Sequence, residues 1–285
     1  MVELRESQSV SDSSASTASS DSRRGDIALV GTYDERFIKF FAWYVRRMFR
    51  KSFHALRIAK GTRDSLASLA GHRGPVIVVM NHSSWWDPLV ALMVGRELCP
   101  QRTGCAPMDA RELAKFGMLR KLGIFGIDPD DAKSLPAMSR YVLDCFAREP
   151  MATLWITPQG RFMDVRDAIA LRPGTAAIAA RAPGVRCVSL AIEYAFWVDQ
   201  KPEVFTRLAD VPTPATPSTA HWHAGLTAAM QSNGDALAAL VRARDASGFE
   251  PLSAGEGGRD GSVHPVMDWW LKLRGKQIAL SDRTR

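Results

Sequence analysis

His82 and Asp87 stand five residues apart in the run Asn81-His82-Ser83-Ser84-Trp85-Trp86-Asp87-Pro88. An imidazole exchanges a proton near neutral pH, and a carboxylate on one ring nitrogen fixes which tautomer does so. On a continuous helix this spacing sets the two side chains about 140° apart, so they would not meet. Across a strand-to-helix turn they can meet. Asp87 at the helix start then accepts from one nitrogen of His82, and the other is left to take a proton from a hydroxyl. This is the base and its orienting group, without a dedicated nucleophile. Two plainer readings compete: Asp before Pro is a common helix start, and a lone loop His is ordinarily polar surface. Neither Ser83 nor Ser84 lies in a G-x-S-x-G elbow, which argues against a serine hydrolase.

The flanking patterns supply such a turn. Residues 75–80 (Pro-Val-Ile-Val-Val-Met) predict a buried strand, and 87–98 predict a helix with Asp87 at its N-cap and Pro88 in its first turn. Further strands are predicted at 102–108, 151–156, 186–194 and 204–208, and helices at 110–122, 134–148, 174–181 and 214–244. Residues 246–261 read as loop and 264–276, with Trp269-Trp270, as a last helix. Strands alternating with helices predict an α/β fold: a mixed, largely parallel sheet flanked by helices, with reactive groups at the carboxyl edge of the strands.

The chain has 285 residues and a net charge of +7. The length suits one large domain or two modest ones. A composition 46% hydrophobic and 24% charged excludes a wholly disordered or multi-span membrane protein. Residues 36–60 carry eight basic side chains (Arg36, Lys39, Arg46, Arg47, Arg50, Lys51, Arg57, Lys60) and no acidic one, so +8 of the +7 is local and the remainder is −1. Read as a helix over 34–60, this segment gathers the charges from Arg36 to Arg57 in an arc of about 140°, opposite Phe37, Ile38, Phe41, Tyr44, Val45, Met48, Phe49 and Leu56. Phe40 and Trp43 fall among the charges. The pattern fits a helix lying in lipid headgroups, or one that docks its apolar face on the domain; it fits base stacking on nucleic acid poorly. Residues 1–26 read as a Ser-rich disordered tail with no secretory signal. No run is long enough to span a bilayer, and Cys99, Cys105, Cys145 and Cys187 have neither zinc-ligand nor disulfide-scaffold spacing. The expected setting is cytoplasmic, peripheral to the inner face of a membrane with anionic lipids, and no metal site is expected.

Taken with three further blocks in order, His82-x-x-x-x-Asp87 resembles the H-x-x-x-x-D signature of the glycerolipid acyltransferases. Lys121-Leu122-Gly123-Ile124-Phe125-Gly126-Ile127-Asp128 is similar to the family's Gly-rich apolar block. Leu154-Trp155-Ile156-Thr157-Pro158-Gln159-Gly160-Arg161 is similar to its F-P-E-G-T-R block, and Cys187 to Ile192 to its V-P-V-A-I strand. Arg172-Pro173-Gly174-Thr175-Ala176 resembles its basic-Gly-Ala entry into a helix. The likeness covers roughly 74–205 within a domain placed at 61–285, and implies a glycerol-3-phosphate acyltransferase-like fold.

The resemblance implies an O-acyltransferase of lipid metabolism. His82 would be the general base and Asp87 its orienting group, with Gln159, Gly160 and Arg161 at the acceptor. The acyl donor would be acyl-CoA or acyl-carrier protein, with no further cofactor, and the acceptor a lyso-glycerolipid of the 1-acylglycerol-3-phosphate kind. The chain departs from the family where phosphate is bound: Gln159 replaces Glu, Arg161 stands in the Thr position, Phe162 in the Arg position, and Pro129 where Arg usually follows Asp128. Arg161 or Arg172 would have to substitute. Alternatively the acceptor lacks that phosphate (a glycolipid, carotenoid glycoside or aminolipid), or the protein binds lipid without catalysis.

Overall fold

A computed structural model describes residues 27 and 29–254, apart from 132. The expected tail over 1–26 and the expected helix over 264–276 lie outside these residues. Helix α1 (Glu35–Ser52) leads into β1 (Ala55–Ala59), α2 (Thr62–Gly71), β2 (Val76–Met80), α3 (Asp87–Leu98), β3 (Thr103–Asp109) and α4 (Ala110–Lys115). A 3-10 turn (Gly117–Lys121) precedes β4 (Ile124–Ile127), α5 (Ser134–Arg148), β5 (Ala152–Ile156), α6 (Gly174–Ala179), β6 (Arg186–Ala195), β7 (Glu203–Val211), α7 (Thr219–Ala243) and β8 (Phe249–Ala254).

The strands form one eight-stranded sheet in the order β4-β3-β5-β2-β6-β7-β1-β8. From β4 to β6 every neighbour is parallel; β7 then runs antiparallel to β6 and β8 antiparallel to β1. The predicted mixed, largely parallel α/β sheet is therefore what forms. Strand β2 is buried along its whole length, as a central parallel strand covered on both faces must be. Its alternate residues sort the core: Val76, Val78 and Met80 pack toward α1 and α3, while Ile77 and Val79 pack toward α5, α6 and α7. Burying each such side chain contributes about 1.5–3 kcal/mol.

The basic segment differs from its prediction. The helix stops at Ser52, Phe53 turns extended, and Ala55–Ala59 joins the sheet between β7 and β8 instead of continuing the helix to 60. Sheet pairing and burial outweigh helical periodicity here: Leu56 and Ile58 are sealed in the core, and Arg57 is ion-paired to the buried Glu203. The helix that remains is capped by Asp34, whose carboxylate accepts from the amides of Arg36 and Phe37. It docks on the domain through Ile38, Ala42, Val45 and Phe49, with Glu35 paired to Arg96 and Arg46 to Glu97 of α3, each at 2.8 Å. Its outward face nevertheless keeps Phe40, Trp43 and Tyr44 exposed at 58, 59 and 46%.

Smaller differences follow the same logic. Residues 117–121 tighten into a 3-10 turn and 124–127 become an edge strand, so the Gly-rich block is a strand entry. Gly123 has φ +84°, and a Cβ there would overlap the Gly104 carbonyl, so the turn needs glycine. Residues 249–254 form a strand by pairing with β1, where local Gly, Ser and Asp content suggested loop. None of the four cysteines forms a disulfide; burial raises the pKa of each, that of Cys187 to about 12.

Candidate active site

Five parallel strands end on one edge of the sheet, and that edge receives the chemistry. Strand β2 delivers His82, β5 delivers the turn from Thr157 to Met163, β4 delivers Asp128 and Pro129, and β6 delivers Tyr194. Asn81 fixes the alignment of two of them. Its side-chain amide donates to the Ile192 carbonyl at 2.9 Å, and its oxygen accepts from the Ile192 amide at 2.8 Å. Gln159, buried, braces the next residue: its Oε1 accepts from the His82 amide at 2.9 Å. The His82 carbonyl in turn accepts from the Met163 amide at 2.7 Å. The backbone of residue 82 is held from both sides by the β5 turn.

The side chain meets Asp87 across the strand-to-helix turn, with Nδ1 of His82 3.0 Å from Oδ2 of Asp87. The carboxylate is fully buried and has four partners. Besides the imidazole, Oδ2 accepts from the amides of Ser83 and Ser84 at 2.8 Å each, and Oδ1 accepts from the Tyr194 hydroxyl at 2.7 Å. A buried carboxylate with both oxygens answered by donors is fixed in orientation. The carboxylate keeps its proton-accepting edge on Nδ1, which leaves Nε2 of His82 as an acceptor. Nε2 has no partner among the described residues, and the imidazole side chain is 19% exposed.

The remaining expected site residues surround this pair in different ways. Gly160 turns with φ +68°, and a Cβ there would come within 2.7 Å of Nε of Arg172, so the guanidinium lies against the bare glycine backbone. Arg172 also donates from a terminal nitrogen to the Pro129 carbonyl at 3.1 Å, and its backbone amide donates to the Pro158 carbonyl at 2.8 Å. It thereby brings a guanidinium beside residue 129. Arg161 is exposed and has no ion-pair partner among the described residues. Phe162 lies with its ring centroid 4.2 Å from that of His82. Two other arginines near this edge are neutralised: Arg111 by Asp109 and Asp130, and Arg166 by Asp164.

Ser83 and Ser84 serve the pair through their amides, and Oγ of Ser83 is buried, so neither presents a nucleophile. Trp85 is exposed at the mouth, whereas Trp155 packs against Gly95 and Gly104. Trp86 fills the space between Phe49 and Phe53. His221, on α7, turns back to the Thr216 carbonyl, and no group of three metal-ligating side chains exists among the described residues. Sequence reasoning missed Tyr194. Its signal was the two-residue period of β6, which puts 190, 192 and 194 on one face, with the last at the carboxyl edge.

Comparison with known proteins agrees with this geometry. No curated protein matches the chain significantly. Residues 57–193 match the family described as Acyltransferase. That stretch runs from inside β1 almost to the end of β6 and carries His82, Asp87 and the whole β5 turn, so the part of the chain that holds the site is similar to the acyltransferases of that family.

Proposed function

We propose that the protein esterifies the hydroxyl of a lyso-glycerolipid acceptor, of the 1-acylglycerol-3-phosphate kind, with a fatty acyl group from acyl-CoA or acyl-carrier protein. The observation that carries this reading is the imidazole of His82, held through Nδ1 by the buried Asp87 with Nε2 unpartnered. The acceptor hydroxyl gives its proton to Nε2 as its oxygen attacks the thioester carbonyl. The tetrahedral intermediate collapses with cleavage of the C–S bond, and the leaving thiolate takes the proton from the imidazolium. Asp87 stabilises that transient cation. A thioester is already activated, so this needs neither an acyl-enzyme nor a metal.

The oxyanion needs amide donors. At the start of α3 the amides of Asp87, Leu89 and Val90 are bound to carbonyls and Pro88 has none. In the β5 turn, Gly160 and Met163 are likewise committed, while the amides of Arg161 and Phe162 have no partner among the described residues. These two amides are therefore the better donors for the reading.

Arg161 and Arg172 support a phosphate on the acceptor, because they flank Gly160 with charges that no carboxylate neutralises among the described residues. Phe162 against His82 supports the second reading, a neutral headgroup such as a glycosyl or monoacylglycerol moiety. A panel of acceptors on vesicles with labelled acyl-CoA or acyl-carrier protein separates them. For the phosphate acceptor, Arg161→Ala and Arg172→Met each raise KM by roughly 10-fold or more, the scale of one charge-assisted hydrogen bond, and change it less than about twofold for monoacylglycerol. Equal effects on both acceptors favour the neutral headgroup. No acylated product from any acceptor favours lipid binding without catalysis.

The acceptor's insolubility gives the α1 face a role. No described helix is long and apolar enough to cross a membrane. Phe40, Trp43 and Tyr44 lie among Arg36, Arg47, Arg50 and Lys51, all exposed, and this mixed face suits the headgroup region of an anionic leaflet. The reading places the protein on the cytoplasmic side, peripheral to the membrane.

A further inference from the structure

Tyr194 enters the active site from β6, outside all four motif blocks. The Asn81 clamp on Ile192 sets the height of β6 against the His82 turn, and two residues further on the phenol reaches Asp87. Its hydroxyl donates to Oδ1 at 2.7 Å, the carboxylate oxygen that His82 does not use. The ring is walled in by Phe53, 5.9 Å away, and Phe53 in turn packs edge-on against Trp86 at 4.9 Å. These neighbours hold the phenol toward its acceptor. Burial, and after it the charge of Asp87, hold the phenol's pKa far above its ordinary value, so it remains a donor at any working pH.

We propose that Tyr194 is a positioning residue of the reaction, one that sets through Oδ1 both the orientation of Asp87 and how strongly its Oδ2 draws on the His82 imidazole. The proposal rests on the reading of His82 as general base. The argument is electronic as well as geometric. A hydrogen bond to Oδ1 withdraws charge from the carboxylate and leaves less of it on Oδ2 to stabilise an imidazolium. Removing the donor reverses this: His82 becomes more basic and is protonated over a wider range of pH. It also leaves Oδ1 buried without its donor.

Other titratable groups packed near the phenol are committed elsewhere. Glu203, opposite on β7, is paired to Arg57; His54, beside the end of α1, is paired to Asp199. Glu193 lies on the other face of β6, toward Arg242 and Arg166. Asp87 is the charge that the hydroxyl meets.

The test compares wild type, Tyr194→Phe and His82→Ala in full-length protein. Steady-state acyl transfer and the titration of the His82 ring are both followed, the latter by NMR of imidazole-labelled protein with the His82 signal assigned by its absence in His82→Ala. Tyr194→Phe is expected to lower kcat by roughly 10-fold with KM within about twofold, the cost of one hydrogen bond to a charged group. The acid limb of the rate profile and the His82 titration both move to higher pH. Should Tyr194→Phe fail to fold, 3-fluorotyrosine placed at 194 keeps the shape and strengthens the donor, and both midpoints then move to lower pH. Unchanged midpoints in the variant that folds overturn the proposal. An active His82→Ala overturns the general-base reading instead, so the two failures are distinct.

Discussion

His82→Ala loses acyl transfer by about 10³-fold or more and melts within about 1 °C of wild type. The size of the loss is that of a positioned general base, which contributes about 10²–10⁴-fold. The unchanged stability follows from how residue 82 is held. Its amide is bound to Gln159 and its carbonyl to the Met163 amide, neither of which involves the side chain. The ring is partly exposed, so its removal leaves no sealed cavity. Asp87→Asn behaves differently although it is isosteric. Oδ2 answers three donors and Oδ1 a fourth, and an amide must turn its NH₂ group against one of these sets. With buried donors left unanswered at about 1–3 kcal/mol, the melting temperature falls by several degrees and the base is lost as well. Labelled-acyl assays beside thermal melts measure both. A His82→Ala variant that turns over at the wild-type rate would falsify the general-base role.

The contrast between these two residues bears on what a sequence discloses. His82, Asp87 and the β5 turn were legible because strand-to-helix and strand-to-loop junctions leave local signatures: a buried apolar run, then Pro88 in the first turn of a helix, or Gly160 in a left-handed turn. The sheet and its largely parallel order were legible for the same reason. Tyr194 was not, because its partner is 107 positions away and nothing near it in the chain reports that contact. Strand β1 was hidden for a related reason. Leu56, Arg57 and Ile58 suit a helix as well as a strand, and β7 and β8, which decide the matter, come about 150 and 200 residues later in the chain. Gln159 shows a third case. Its position in the motif suggested the acceptor, while its Oε1 is occupied by the His82 amide, so what it does is hold the backbone of His82 in place.

The basic segment serves the sheet as well as the surface, because β1 lies within it. Deleting 36–60 would remove a strand from the sheet along with the helix, so loss of membrane binding in that variant would say nothing of the surface. Substitutions on the outer face of α1 avoid this, because the helix docks through Ile38, Ala42, Val45 and Phe49, with Phe41 beside them. Four exposed cations there, Arg36, Arg47, Arg50 and Lys51, have no ion-pair partner among the described residues, whereas Lys39 and Arg46 are neutralised by Glu35 and Glu97. At about 1 kcal/mol for each charge near an anionic leaflet, replacing all four with Gln costs up to about 4 kcal/mol. That predicts a loss of roughly 10²–10³-fold in partition onto vesicles rich in phosphatidylserine, and the loss of most of the salt dependence. Phe40→Ala with Trp43→Ala removes the inserted apolar surface instead, lowering partition by roughly 10-fold while the salt dependence persists. Turnover of a short-chain, water-soluble acceptor stays at the wild-type level in both variants, since neither touches the His82 edge. Sedimentation with anionic and neutral vesicles over a salt series reads all of this. If the Gln variant partitions like wild type, the face is a solvated surface, and the acceptor must reach the site by another route.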